Sequence, residues 1–388
     1  MKKALLGTSA LVAASVLAAG PATAAEPLKL GLGGYMEQSI GIIDHDGDAS
    51  TQAGVGRGTG RGFDIFEETE VFFKGSTTLD NGIKVAVDIQ LEGLSGGTVS
   101  TGDYIDEAYI TLTSPTMGQV VFGSENMPNY KMHYGAPTVS RQNIDSSDYD
   151  GFWSPNLTGH SFVNSAFGNT SGRFFANDPQ QISYYTPRFA GFQAGIGWAS
   201  DTGQGNTKAS TGLEDGISVG LNYRGDFDGV GLNASFGWMY WGDDTVANAA
   251  VRPNQNPMQF QGGLNVTFSG FAVGASYSTI NTTGVATSAS AAAVNSLDSW
   301  TLNVGASYKT GPYGVSLNYQ TAEAEGSRTA ALSGDDELDR WEIAGTYNLG
   351  PGINWHAAVA YKDEEGEAVG NADDLESWIG VTGIVISF

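Results

Sequence analysis

The chain has no cysteine among its 388 residues. That excludes a disulfide-stapled fold and any thiolate metal site. Positive charge is scarce: 18 Lys and Arg stand against 42 Asp and Glu, giving a formal net charge of −24 and a pI near 4.3. A nucleic-acid partner is excluded with it, because phosphate binding needs a basic surface. Charge of both signs together is only 15 %, too little for a disordered or solvated acidic chain. Beyond the N-terminal leader, no run approaches the ~20 apolar residues of a membrane helix. What the chain does have is glycine, 55 residues, and aromatics, 11 %. That mixture suits a β protein better than a helical one.

Lys2 and Lys3 precede a short apolar stretch from Ala4 to Ala19, and Ala22-Thr23-Ala24 follows as a small-residue cleavage site. Residues 1–24 therefore read as a secretory signal peptide, too short for a membrane anchor. The mature chain, residues 25–388, carries 16 basic against 42 acidic residues, a charge of −26. It reads as one exported domain, either soluble or crossing a membrane as a β-barrel.

Alternation along the chain bears on that choice. Ile83, Val85, Val87, Ile89 and Leu91 interleave with Lys84, Ala86, Asp88, Gln90 and Glu92. Side chains of a strand point to opposite faces in turn, so one face is apolar and the other wet. The pattern recurs from Ile217 to Arg224, Val230 to Tyr240, Trp300 to Lys309, Tyr313 to Gln320 and Asn354 to Lys362. Aromatics close the apolar faces: Phe271 and Tyr277, Trp300 and Tyr308, Tyr313 and Tyr319, Trp341 and Tyr347, Trp355 and Tyr361. Such rings suit a membrane–water boundary and predict two girdles. The opposite faces are rich in Gly, Ser, Asn and Gln, unlike the outside of a packed sandwich.

Seven short connections carry turn residues: Asp80-Asn81-Gly82, Ser114 to Gly118, Arg188 to Gly191, Asp226 to Gly229, Ser269-Gly270, Thr310-Gly311-Pro312 and Leu349 to Gly352. Eight long polar loops alternate with them, the longest from Ser124 to about Pro179. Fifteen connections make sixteen strands. The reading is an all-β, transmembrane antiparallel barrel with short periplasmic turns and long extracellular loops. No edge survives in lipid, so a first strand over about Leu28 to Ile43 should pair with a last over about Glu376 to Phe388.

The chain ends in Ile384, Ile386 and a terminal Phe388, which looks like the assembly signature of outer-membrane barrels. Further local matches are Phe72-Phe73-Lys74-Gly75 before Leu79-Asp80-Asn81-Gly82, Glu107 to Leu112, Val120-Val121-Phe122-Gly123, and Ser183 to Phe192. In this order the mature chain resembles the general diffusion porins of Gram-negative outer membranes. The resemblance implies a homotrimer of water-filled barrels in outer-membrane lipid, passing small hydrophilic solutes and ions. It also implies that the third long loop folds into the lumen and narrows it. Many relatives carry an arginine just after the glycine matching Gly123; here Ser124-Glu125-Asn126 follow, which tilts the lumen negative.

A pore breaks no bond; its wall charges favour one sign of ion. The long loop carries Glu125, Asp145, Asp148, Asp150 and Asp178 against Lys131, Arg141 and Arg173. Alternation points Glu37, Glu70, Asp88, Glu92 and Glu107 inward, with Lys74, Lys84, Arg224 and Lys309 as basic inward positions, most of them near short turns. The expectation is a constriction acidic on its loop side and a preference for cations. Met127 to Tyr134 and Phe152-Trp153 either pin the loop to the wall or form an apolar track for sugars or aromatics. The alternative function is a substrate-selective channel for a sugar or other nutrient.

Catalysis is not expected. Gly93-Leu94-Ser95-Gly96-Gly97 has the spelling of a nucleophile elbow but leads into a Gly-rich loop, where that motif needs a helix. No resident cofactor is expected; His45, His133, His160 and His356 lack metal spacing. Asp44, Asp46 and Asp48 offer hard oxygen ligands to calcium at a surface loop, without the Glu that completes an EF-hand.

Overall fold

The structure, a computed structural model, describes residues 27–46, 62–95, 105–145, 170, 178–204, 213–243, 256–281, 298–325, 335–365 and 375–388. Residues 1–24, Asp48, Asp148, Asp150, Phe152-Trp153 and Arg173 lie outside them. Period-two alternation resolves into sixteen strands. The first eight are β1 (Leu30–Asp46), β2 (Phe63–Thr78), β3 (Lys84–Ser95), β4 (Glu107–Ser114), β5 (Gly118–Ser124), β6 (Gln180–Tyr185), β7 (Phe192–Asp201) and β8 (Leu213–Phe227). The second eight are β9 (Val230–Asp243), β10 (Met258–Phe268), β11 (Phe271–Asn281), β12 (Ser299–Thr310), β13 (Tyr313–Glu325), β14 (Asp335–Gly350), β15 (Ile353–Glu365) and β16 (Leu375–Ser387). Each pairs antiparallel with its neighbours, and β16 closes on β1.

The seam runs from Tyr35 opposite Ser387 to Asp46 opposite Glu376. Gly34 and Phe388 finish it by exchanging both backbone hydrogen bonds, each at 3.0 Å. All seven short turns fall at one end of the barrel. Three are tight two-residue turns, Ala190-Gly191, Asp228-Gly229 and Ser269-Gly270, in which both residues have φ between 48° and 89°. That is the hairpin geometry whose twist matches the strands, and it accounts for the glycines.

Outward positions are apolar and exposed, among them Leu32, Ile65, Val273 and Ile343. Aromatic pairs bracket this band. Phe271 meets Tyr308 at 4.3 Å and Tyr313 meets Tyr347 at 4.9 Å near the turns; Tyr319 meets Trp341 at 4.4 Å and Tyr361 meets Trp378 at 4.9 Å near the loops. These are the two girdles.

The inner face is not polar throughout. Toward the loop end Met239, Trp241, Ile280, Leu338 and Ile379 point inward and are buried. Phe66, Ala344, Ala358 and Val381 pack with Ile144 of the long loop. The barrel thus holds an apolar core of its own, formed where loop chain lies against wall.

Candidate permeation site

The long loop enters the lumen at a bend that only glycine serves. Gly123 has φ +129°, and a Cβ there would collide with the Ala108 carbonyl and the Tyr109 backbone. One helical turn follows, α1 (Pro128–Lys131). From there the loop runs along the wall as a belt. Asn129 donates its backbone N–H to Ser218 Oγ of β8 at 2.8 Å, and Tyr134 donates to Ser235 Oγ of β9 at 2.9 Å. Asn265 of β10 donates to the Gly135 carbonyl at 2.9 Å. Ala136 donates to Ser276 of β11, Val139 to Ser316 of β13, and Ser140 Oγ to Glu342 of β14. The belt ends at β1, where Gln142 donates to Glu37 at 2.8 Å.

Glycines of the inner wall make room for it. A Cβ at Gly220, Gly263 or Gly305 would overlap the carbonyl oxygen of Pro128, Tyr134 or Pro137 respectively. Apolar pins hold the near end. Met127 packs with Ala199, Met239 and Trp241, and Met132 with Val121 and Tyr185. Both methionines are buried and secure the loop against the wall.

The described belt begins beside β4 and finishes beside β1, so among the described residues the inner wall of β1 to β4 borders the opening. Each end of the gap carries one cation. Lys131 Nζ lies 2.6 Å from Glu125 Oε2 and 5.7 Å from the centre of the Tyr109 ring. Arg141 Nε lies 2.6 Å from Glu37 Oε2, its second arm 3.7 Å from Glu68, and its guanidinium 5.0 Å from the Tyr35 ring. Both cations are more than a third exposed, while Glu125 and Glu37 are about 2 % and 1 % exposed. Burial alone would lower the Arg141 pKa; the Glu37 and Glu68 carboxylates outweigh it and hold the guanidinium above its ordinary value.

Three of the five loop carboxylates expected at the constriction are described, Glu125, Asp145 and Asp178, and all three are buried. Glu125 is spent on Lys131. Asp145 is buried against Thr170, accepting its backbone N–H at 2.7 Å and its hydroxyl, and also takes a hydrogen bond from Gln320 at 3.0 Å. A carboxylate this deep needs such partners. Burial pushes its pKa up to about 6 despite Thr170 and Arg340. His133, burial-depressed to about 4, approaches Thr170 at 3.3 Å.

The acids that border the opening sit on the wall instead. Glu70 and Glu68 accept from the Tyr35 hydroxyl at 2.8 and 2.6 Å. Asp88 pairs with Lys74 at 2.9 Å. Glu92 stands opposite Glu70 in the ladder. Glu107 is buried and accepts from Asn126 and Gln90. Lys84, at the start of β3, is exposed. The acidic wall positions predicted to point inward therefore gather on one side, β1 to β4, and the described loop residues bring Lys131 and Arg141 to its edges. Sequence reasoning missed Glu68, whose inward parity with Glu70 was the available signal, and Tyr35 and Tyr109.

Of the calcium candidates, Asp44 is exposed near the end of β1 and Asp46 ends that strand. A different trio, Asp106, Glu107 and Asp178, brings carboxylate oxygens within 4.8 Å of one another.

A closed sixteen-stranded barrel, apolar outside and belted within, defines a membrane channel. The family model for Gram-negative porins matches residues 8–367, and the chain belongs to that family. No curated protein sequence matches it. Solved structures share the fold at low identity. The anion-selective porin from Comamonas acidovorans is 16 % identical, with 93 % of this chain and 100 % of that chain covered and a TM-score of 0.62. The outer-membrane channel DcaP of Acinetobacter baumannii is 14 % identical, with 93 % and 97 % covered and a TM-score of 0.61. OmpT of Vibrio cholerae in its trimer form is 10 % identical, with 94 % and 100 % covered and a TM-score of 0.60. The protein is an outer-membrane channel for passive diffusion, not an enzyme.

Proposed function

We propose that this channel is a homotrimeric diffusion pore for small hydrophilic solutes that prefers cations. In this reading residues 1–24 are removed on export, the short turns face the periplasm, and the constriction lies between the belt and the wall of β1 to β4. The observation that carries the preference is the partly exposed wall carboxylates Glu68, Glu70 and Glu92 beside an opening whose described loop cations, Lys131 and Arg141, are each tied to a buried acid. Lys131, Arg141, Lys74 and Lys84 shape the opposite and lower rims, and Glu125, Asp145 and Glu107 hold the constriction together.

Two unit charges ~8 Å apart interact by roughly 0.5 kcal/mol in water-like surroundings, and by more in a narrow lumen. Several such carboxylates bias permeation without binding any ion tightly. The reversal potential of the purified protein in a planar bilayer under a KCl gradient tests this. A sign favouring K⁺, reduced in Glu70→Gln/Glu92→Gln, supports the reading; a chloride preference overturns it.

A further inference from the structure

Charge in this barrel is sorted along its axis as well as around it. The inward cations Lys84, Arg224 and Lys309 are exposed at the turn end, and none has an ionic partner among the described residues. Alternation sets their direction: Asp88 on β3, Asn222 on β8 and Ser307 on β12 share their faces and contact lumen groups or are buried. Arg188 joins them, reaching the Gly191 carbonyl at 2.7 Å and Asn222 at 2.8 Å. Acids at this end are the turn residues Asp80, Asp226 and Asp228; Asp226 caps the Gly229 N–H at 3.0 Å. Toward the loop end the acids outnumber the free cations among the described inward charges. Asp64, Glu68, Glu70 and Glu92 are at least partly exposed. Of the cations there, Lys131 and Arg141 are partly exposed but each lies 2.6 Å from a buried carboxylate, Arg340 is fully buried, and Lys362 lies 2.6 Å from Glu364.

The two zones are far enough apart to act separately. From Glu70 to Thr78, the residue opposite Lys84, the strand rises ~26 Å at ~3.3 Å per residue. With a tilt of ~40° that is ~20 Å along the axis. The screening length is about 10 Å at 0.1 M salt and about 3 Å at 1 M. In dilute salt, then, the loop half gathers cations and the turn half gathers anions.

We propose that the channel is a bipolar rectifier, passing more current when its loop end is positive. In that polarity cations flow from the acidic half and anions from the basic half toward the middle, so carriers accumulate there. Reversed polarity draws both outward and depletes the middle. The inference rests on the channel reading and adds a direction to it.

The test is the current–voltage curve of oriented channels. An Asn81→Cys protein carries one thiol in an otherwise cysteine-free chain; biotinylated there and challenged with streptavidin on one side, it reports which end faces that side. At ~0.1 M KCl the current at loop-positive voltage should exceed that at loop-negative voltage by about twofold, and the asymmetry should vanish at ~1 M. Lys84→Gln/Arg224→Gln/Lys309→Gln should abolish the asymmetry, and Lys84→Arg/Lys309→Arg should keep it. A linear curve at ~0.1 M, the opposite polarity, or unchanged asymmetry in the triple Gln protein overturns the inference and leaves the diffusion channel intact. No conductance under any condition overturns the channel reading and this inference with it.

Discussion

Asp145 joins two limbs of the long loop inside the lumen, and its proton decides how firmly. Its folded pKa of about 6 lies above the ordinary 3.8. Below both values the carboxyl is neutral in seated and unseated loop alike. As pH rises through that window the unseated form ionises first, so the seat weakens; above about pH 6 the loss is on the order of 3 kcal/mol. Thr170, Gln320, Asn303 and Arg340 face the group and set the limit of that loss. Current noise from loop motion should therefore be lower at pH 4.5 than at pH 7.5, and Asp145→Asn should make it insensitive to pH over this range. Asp145, Lys131 and Arg141 were legible as lumen candidates because a charged loop follows β5. Their partners were not, since Arg141 and Glu37 are 104 positions apart and no local pattern links them.

The belt owes its course to features that leave little trace in the sequence. Each glycine and serine under it also satisfies the ordinary rule for a wet strand face, so Gly263 and Ser316 look like any other inward residue. The strands were legible for the converse reason: period two recurs along much of the chain, and turn glycines mark seven of the joints. The apolar inner patch around Met239 and Trp241 was not foreseen, because alternation names a face without saying what covers it. Gly263→Val should push Tyr134 off the wall, where even a Cβ overlaps its carbonyl. The outcome expected is a changed single-channel conductance with unchanged thermal unfolding of the barrel in detergent. A lost barrel, or an unchanged conductance, would show that the belt does not define the passage.

Closure ties the whole molecule to its last residues. Ile384 to Ser387 pair with Tyr35 to Gln38, and Phe388 with Gly34. Each backbone group left unpaired in lipid costs several kcal/mol. Deleting residues 384–388 should lower the refolded yield in detergent roughly tenfold or more, read from circular dichroism and electrophoretic mobility. A yield equal to that of the intact chain would mean the seam closes without them. The seam has a temporal consequence as well. Its two halves are the first and last strands to emerge from the ribosome, so no partial product owns a complete hydrogen-bonded ring. A polypeptide cut short at any strand carries two naked borders and has nothing to shield them. Completion of β16 is thus the earliest moment at which the ring can close, and its presence alone separates a closable cylinder from an open fragment.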